Sequence, residues 1–221
     1  MQEPVIYDLR FLDESSLQDI SNLQDLIARS LPFPEIFRLH DDSYFKSLLK
    51  MDRFVIGAVV DEALIAYSLI SIPGRGKENL GRDICMTEED LERVAHLQAA
   101  AVHLAYRGNG LQRAMGAAHL RVIEGMGFEH VLCTVSPRNP ISLRNILSNG
   151  FVIKGLKLKF EGLWRYIMYK NLMHPASLCS CPVIIQGSDI EGQLDLLRKG
   201  HIGFDLKMHP RDFEVYYSIV L

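Results

Sequence analysis

The chain has 221 residues, 48% of them hydrophobic and 23% charged, with 24 basic against 27 acidic residues and a formal net charge of -3. Length divided by roughly 150 gives one domain, or one domain with an appendage. The composition excludes disordered and collagen-like chains, and the near-neutral balance excludes a polybasic footprint for nucleic acid or membrane.

Residues 1–10 have neither a basic n-region nor an apolar h-region and do not read as a signal peptide. Alternation over 5–12 predicts a first strand. Residues 13–16 offer helix caps. Leu17, Ile20, Leu23, Gln24, Ile27 and Leu31 then share one helical face, and Pro32 and Pro34 stop the helix. A second short helix spans 41–50 and buries Tyr44, Phe45, Leu48 and Leu49. The runs 54–60 and 63–72 read as a hairpin around Asp61-Glu62, which is not a favoured turn pair. Both runs are too short to cross a bilayer as a helix. Residues 74–92 are Gly-rich and then acidic (Glu78, Asp83, Glu88, Glu89, Asp90, Glu92). Two readings remain open for them: a solvated loop with one helical turn after Thr87, or an acidic lip that attracts a cationic amine.

Residues 95–104 form a strand that feeds Arg107-Gly108-Asn109-Gly110-Leu111-Gln112. A helix follows with Leu111, Met115, Ala118, Val122 and Met126 at helical spacing, closed by Gly125 and Gly127. Strand, glycine loop and helix together make an anion site. Glycines let several N–H groups converge, and the helix adds its positive dipole end. A pyrophosphate is the natural occupant, and Arg107 can add charge-assisted bonds. Two nucleotide loops fail here. Arg113 stands where a Rossmann loop needs glycine or alanine, and Gly76-Lys77 is followed by Glu78, with Ser71 where a Walker loop needs glycine.

A strand over 130–136 follows. Asn139-Pro140 then caps a helix that ends at Gly150, and 151–160 with 163–172 form a strand pair around Glu161-Gly162. From Met173 the composition becomes linker-like. Residues 183–186 read as a strand, 189–199 as a helix, and 202–220 as one or two strands. No internal repeat is evident. The thiols Cys85, Cys133, Cys179 and Cys181 are sparse. Cys179 and Cys181 have no second ligand pair at zinc spacing, so the reading is four reduced thiols in a cytoplasmic protein and no metal.

These motifs resemble the GCN5-related N-acetyltransferase (GNAT) superfamily. Arg107-Gly108-Asn109-Gly110-Leu111-Gln112 is similar to the family's R/Q-x-x-G-x-G/A loop, except that Gln112 replaces the final small residue. The run from Val102 to Tyr106 resembles the family's V-x-P-x-Y strand end. Asn139, Ser142, Asn145 and Gly150-Phe151 resemble its N-x-x-A/S…G-F helix. The resemblance covers about residues 4–172. It implies an α/β (α+β) fold, with a mixed, mostly antiparallel sheet flanked by helices. A GNAT domain then spans 1–172, and 173–221 form a β-α-β extension that packs on it and either covers the acceptor cleft or mediates a homodimer.

The resemblance also implies acetyl-CoA as co-substrate and a small-molecule, amino-acid or peptide amine as acceptor. Val102, Leu104, the loop 107–112, Asn139, Ser142 and Asn145 are the expected cofactor-binding residues. A backbone N–H near Val102 polarises the thioester carbonyl. His96 stands where family members carry a carboxylate base, and its alternative reading is a satisfied buried histidine. The family's tyrosine acid is replaced by Ile146. Ser148, Tyr166 and Tyr169 are the substitutes to test. Phe33, Phe37, Tyr44 and Phe45 stand where the acceptor site is expected, with core packing as the alternative. Trp164, Tyr166 and Tyr169 are expected to line the same cleft from the final hairpin. The missing acid motivates a rival reading, a non-catalytic acyl-CoA-binding module on the same fold.

Overall fold

A computed structural model describes residues 5–31, 33–177, 179 and 181–220. The predicted stop at Pro32 lies outside these. The chain divides into two compact units, Met1–Ser71 with Leu97–Gly125, and Ile72–His96 with Met126–Leu221.

The first unit carries strands β1 (Asp8–Phe11), β2 (Val55–Val60) and β3 (Ala63–Ser71), followed in sheet order by the end of β4 (Val94–Val102). β1 and β2 are antiparallel from Asp8↔Val59 to Phe11↔Ile56, and β2 pairs antiparallel with β3. Asp61 and Glu62 take left-handed φ values of 46° and 63° at the hairpin turn. This conformation costs a non-glycine residue energy. The Arg10 guanidinium grips both Glu62 carboxylate oxygens, at 2.9 and 3.0 Å, and helps hold the turn that residue type alone does not favour.

Helix α1 (Leu17–Ser30) buries Ile20, Leu23, Gln24 and Ile27, the face its periodicity predicts. Gln24 is buried because both ends of its amide are used. Its Nε2 donates to the His40 carbonyl at 2.8 Å, and its Oε1 accepts the His40 N–H at 2.9 Å. Helix α2 (Asp42–Leu49) is capped by Asp41, whose carboxylate accepts the Tyr44 N–H at 2.8 Å. β3 alternates between two layers. Tyr67 meets Phe45 of α2 edge to face, and the Ser68 carbonyl meets buried His119 of helix α4 (Leu111–Gly125) at 3.1 Å. Leu111 and Met115 of α4 pack on Ile56, Ala58, Ile65 and Ala66. The buried stripe of α4 continues through Gly116, His119 and Ile123. The predicted position Met126 is 43% exposed, because the helix has already ended.

The second unit holds the start of β4, then β5 (His130–Val135), β6 (Val152–Lys159), β7 (Leu163–Asn171), β8 (Val183–Gln186), β9 (His201–Met208) and β10 (Phe213–Ile219). Their sheet order is β4-β5-β7-β6-β9-β10-β8. β4 and β5 are parallel, registered from Val94↔His130 to His96↔Leu132, and the other pairings of this unit are antiparallel. Helices α3 (Glu88–Leu91), α5 (Pro140–Ser148) and α6 (Ile190–Arg198) complete it.

One expectation is corrected here. The extension is β-α-β-β, not β-α-β, because 202–220 splits into two strands around residues 209–212. Within the second unit β9 continues the sheet from β6, and Gln193 of α6 ties residues 173–221 inward. The Gln193 side chain is fully buried. Its Oε1 accepts both the Tyr166 and the Tyr217 hydroxyls at 2.8 Å, and its Nε2 donates to the Gly187 carbonyl at 2.9 Å.

Candidate functional site

The loop 107–112 lies wholly in the first unit. β4 ends at Val102, and His103 caps a 3-10 turn over Leu104–Tyr106 by accepting the Ala105 N–H on Nδ1 at 3.2 Å. Asn109 Nδ2 donates to the Tyr106 carbonyl at 3.0 Å, and Arg107 Nε donates to the Val102 carbonyl at 3.4 Å. Gly108 and Gly110 have φ of 85° and 74°. A Cβ built on Gly108 meets no atom within 4 Å, so the requirement for glycine there is conformational, not one of space.

The Ala114 N–H bonds to the Gly110 carbonyl at 2.9 Å and closes the first turn of α4. The N–H groups before it stand at the helix start, where the dipole is positive. The loop, Arg107 and a 15-residue helix therefore concentrate donors and positive charge in one place. Leu104, Arg107 and Gly108 are exposed, and Val102, Asn109, Gly110 and Gln112 are half-buried. Leu111 is in the core, so only its backbone is available to a ligand.

In the second unit, Asn139 Oδ1 accepts the Ser142 N–H at 3.0 Å and caps α5. Ser142 and Asn145 are half-buried, and Ile146 is buried. Ser148 donates its hydroxyl to the Arg144 carbonyl at 2.6 Å, one turn back along α5. Tyr169 bonds to His130 Nδ1 at 3.1 Å, opposite Leu132, and burial raises its pKa. Contrary to the final-hairpin expectation, Tyr166 does not line a cleft, because it is fully buried on Gln193.

His96 is 4% exposed. Its Nε2 accepts the Leu80 N–H at 3.1 Å, which fixes the neutral form. Burial, assisted by nearby Lys159, pushes its pKa down to about 4. The 3-10 turn Leu80–Ile84 that it anchors is also fastened by Asn79, which composition alone did not single out. Asn79 donates to the Gly74 and Leu91 carbonyls and accepts the Gly81 N–H. An Asn two residues before a glycine is the signal that could have revealed it.

Four of the six acidic side chains of 78–92 are ion-paired, and Glu78 and Glu89 are exposed. Arg82 holds Glu88 at 2.6 Å, Arg75 holds Glu92 at 2.9 Å, Arg93 holds Asp90 at 2.6 Å, and Lys159 holds Asp83 at 2.6 Å. Bonds to Arg82 and, for Asp90, to Thr87 and Arg93 lower the Glu88 and Asp90 pKa values. Phe45 of the aromatic group belongs to the core, whereas Tyr44 is half-buried and stacks on His40 at 4.3 Å. Among the described residues, no group of three or more His, Cys, Asp or Glu could hold a metal ion, and no helix is long and apolar enough to cross a membrane.

No protein-family model and no curated protein matches the sequence. Solved structures do match the fold. Ard1 from Thermoplasma volcanium aligns with a TM-score of 0.58 at 17% identity, over 77% of this chain and 100% of that one. The yncA structure from Salmonella typhimurium, with its cofactor acetyl-CoA, aligns with a TM-score of 0.57 at 15% identity, over 80% of this chain and 100% of that one. The ribosomal-protein-S18-alanine N-acetyltransferase from Escherichia coli aligns with a TM-score of 0.52 at 16% identity, over 76% and 94%. Structures named as GNAT acetyltransferases from Streptococcus pneumoniae and Kribbella flavida align similarly. The fold is that of the GCN5-related N-acetyltransferases.

Proposed function

We propose that the chain is a GNAT-superfamily enzyme that transfers an acetyl group from acetyl-CoA to a primary amine by direct attack. One observation carries this reading: on this fold, the loop 107–112 has Gly108 and Gly110 in left-handed conformations at the start of α4, with Arg107 beside them. That loop is the proposed pyrophosphate cradle. Its N–H groups and Arg107 supply the donors, and the end of β4 near Val102 supplies the N–H that polarises the thioester carbonyl. Rate comes chiefly from positioning, since the amine needs only to be held, neutral, against the thioester. The yncA neighbour, solved with acetyl-CoA, supports the co-substrate. The S18-alanine acetyltransferase supports a peptide amine among the acceptor classes. The free thiols Cys85, Cys133 and Cys179 fit a cytoplasmic setting.

The proposed role of His96 is positioning. Its lone pair already serves Leu80, and taking a proton there breaks a buried bond. The amine proton and the proton for the leaving thiolate are exchanged with water.

Buried Ile146 in place of an acid favours the second reading, a non-catalytic acyl-CoA-binding module. A thermal shift with acetyl-CoA, followed by thiol release against a panel of small amines and peptides, separates the readings. Stabilisation with thiol release supports the enzyme, and stabilisation without it selects the module. Stabilisation by NAD or ATP and none by acetyl-CoA overturns both.

A further inference from the structure

The second unit contains one pattern twice. Along the chain β5, α5, β6, β7 is followed by β8, α6, β9, β10. In the sheet the first set lies as β5-β7-β6 and the second continues as β9-β10-β8, so the order reads the same from both ends. A strand order that inverts about one seam is the mark of a two-fold axis at that seam. Here the seam is β6 against β9, antiparallel and registered at Ile153↔Gly203.

The chain numbering agrees. One constant interval separates Asn139 from Asp189, Gly150 from Gly200, Ile153 from Gly203 and Leu156 from Leu206. Each pair shares a local job. Asn139 and Asp189 cap helices of 9 residues by accepting the N–H three residues on, at 3.0 and 2.9 Å. Gly150 and Gly200 follow those helices with φ of 81° and 83°. Leu156 and Leu206 are both buried. Ile153 meets its own counterpart at the seam, as a residue does on a dyad. The helices cross reciprocally, α5 against β9 and α6 against β6.

We infer that residues 183–219 are a second copy of the β-α-β-β unit 130–171, seated on the β6 edge as a partner subunit would be. The β6 edge with α5 is then an interaction surface for this unit, and its occupant is supplied in cis. On this inference the extension acts as an internal partner, and the repeat lies in topology rather than in residue identity. The copy is partial. β5 has β4 as its parallel neighbour, whereas β8 ends the sheet. The inference rests on topology and stands independently of the proposed activity.

Exchanging the axial residues tests the dyad. Ile153 is fully buried, and a Cβ on Gly203 would lie 2.8 Å from its Cδ1. Ile153→Gly leaves a void and Gly203→Ile overpacks, each lowering the unfolding temperature by roughly 4–10 °C in a chain of this size. Combined, they move the isoleucine to the other side of the axis, and at least half of the summed loss is recovered. A double variant no better than the sum of the singles overturns the inference. If a single variant fails to fold, cysteines at the same positions decide. In the full chain, Ile153→Cys with Gly203→Cys forms an intrachain disulfide, losing two more thiols than wild type at the mass of one chain. Interchain dimers linked through these cysteines, or no bond at all, overturn it.

Discussion

Replacing His96 by glutamine separates a titrating base from a neutral structural acceptor. The glutamine carbonyl can still receive the Leu80 N–H, which lies 3.1 Å from Nε2 in the native chain. At pH 7.5 the swap costs about 1 kcal/mol, mostly in packing. In acid the balance changes. Burial holds the folded His96 pKa near 4, below its ordinary 6.5, so the unfolded chain takes up the proton first as pH falls. The His96 contribution is therefore complete above about pH 6.5 and is lost as pH drops toward 4. At pH 4.5 the loss amounts to about 2.5 kcal/mol. The glutamine variant has no such loss and becomes the more stable protein by about 1.5 kcal/mol. His40 and His119, also held near 4 chiefly by burial, are common to both chains and cancel in the difference. Urea unfolding at pH 7.5 and 4.5 measures it. Parallel curves for the two proteins refute the assignment. So does a thiol-release rate that falls about a hundredfold and loses its acid limb in the variant, because that is the behaviour of a base.

Other substitutions probe the loop, the extension and the rejected acids. Gly108→Ala and Gly110→Ala force an L side chain into positive φ, at about 1–2 kcal/mol each. Both weaken acetyl-CoA binding by titration calorimetry, and Gly110→Asp, which adds a repelling charge, weakens it more than roughly 30-fold. Unchanged affinity removes the cradle. Gln193→Leu strands the buried Tyr166 and Tyr217 hydroxyls and costs about 3 kcal/mol, read as a fall of roughly 6–12 °C in unfolding temperature. A shift under about 2 °C shows the pair is not held as described. Ser148→Ala and Tyr169→Phe leave thiol release within about twofold, since both hydroxyls are engaged elsewhere. A larger drop for either one identifies the missing acid.

Local patterns were readable where a residue's role depends on near neighbours. The α1 stripe, the Asn139 cap, the two glycines of the loop and the strand boundaries of the hairpins all follow from spacing and backbone preference. What escaped depends on distant partners. Nothing near Gln193 announces that it meets Tyr166 and Tyr217. The ion pairs of 78–92 were not legible because Lys159 is remote in sequence and the pairing arginines are interspersed. His96 was legible as a candidate, yet its role turns on a backbone N–H 16 residues away. The doubled unit was hidden because its copies share positions and burial more than residue identities. Ile153 against Gly203 is the extreme case.

That last pair shows what joining two copies in one chain makes available. A homodimer on the same seam would set the same side chain twice at its axis. Two isoleucines would collide, since even a Cβ at 203 comes within 2.8 Å of Ile153, and two glycines would leave a hole. A single chain encodes the two sides separately, so one side can hold the volume and the other yield it. Exact symmetry forbids that packing, and covalent linkage permits it without any dependence on protein concentration.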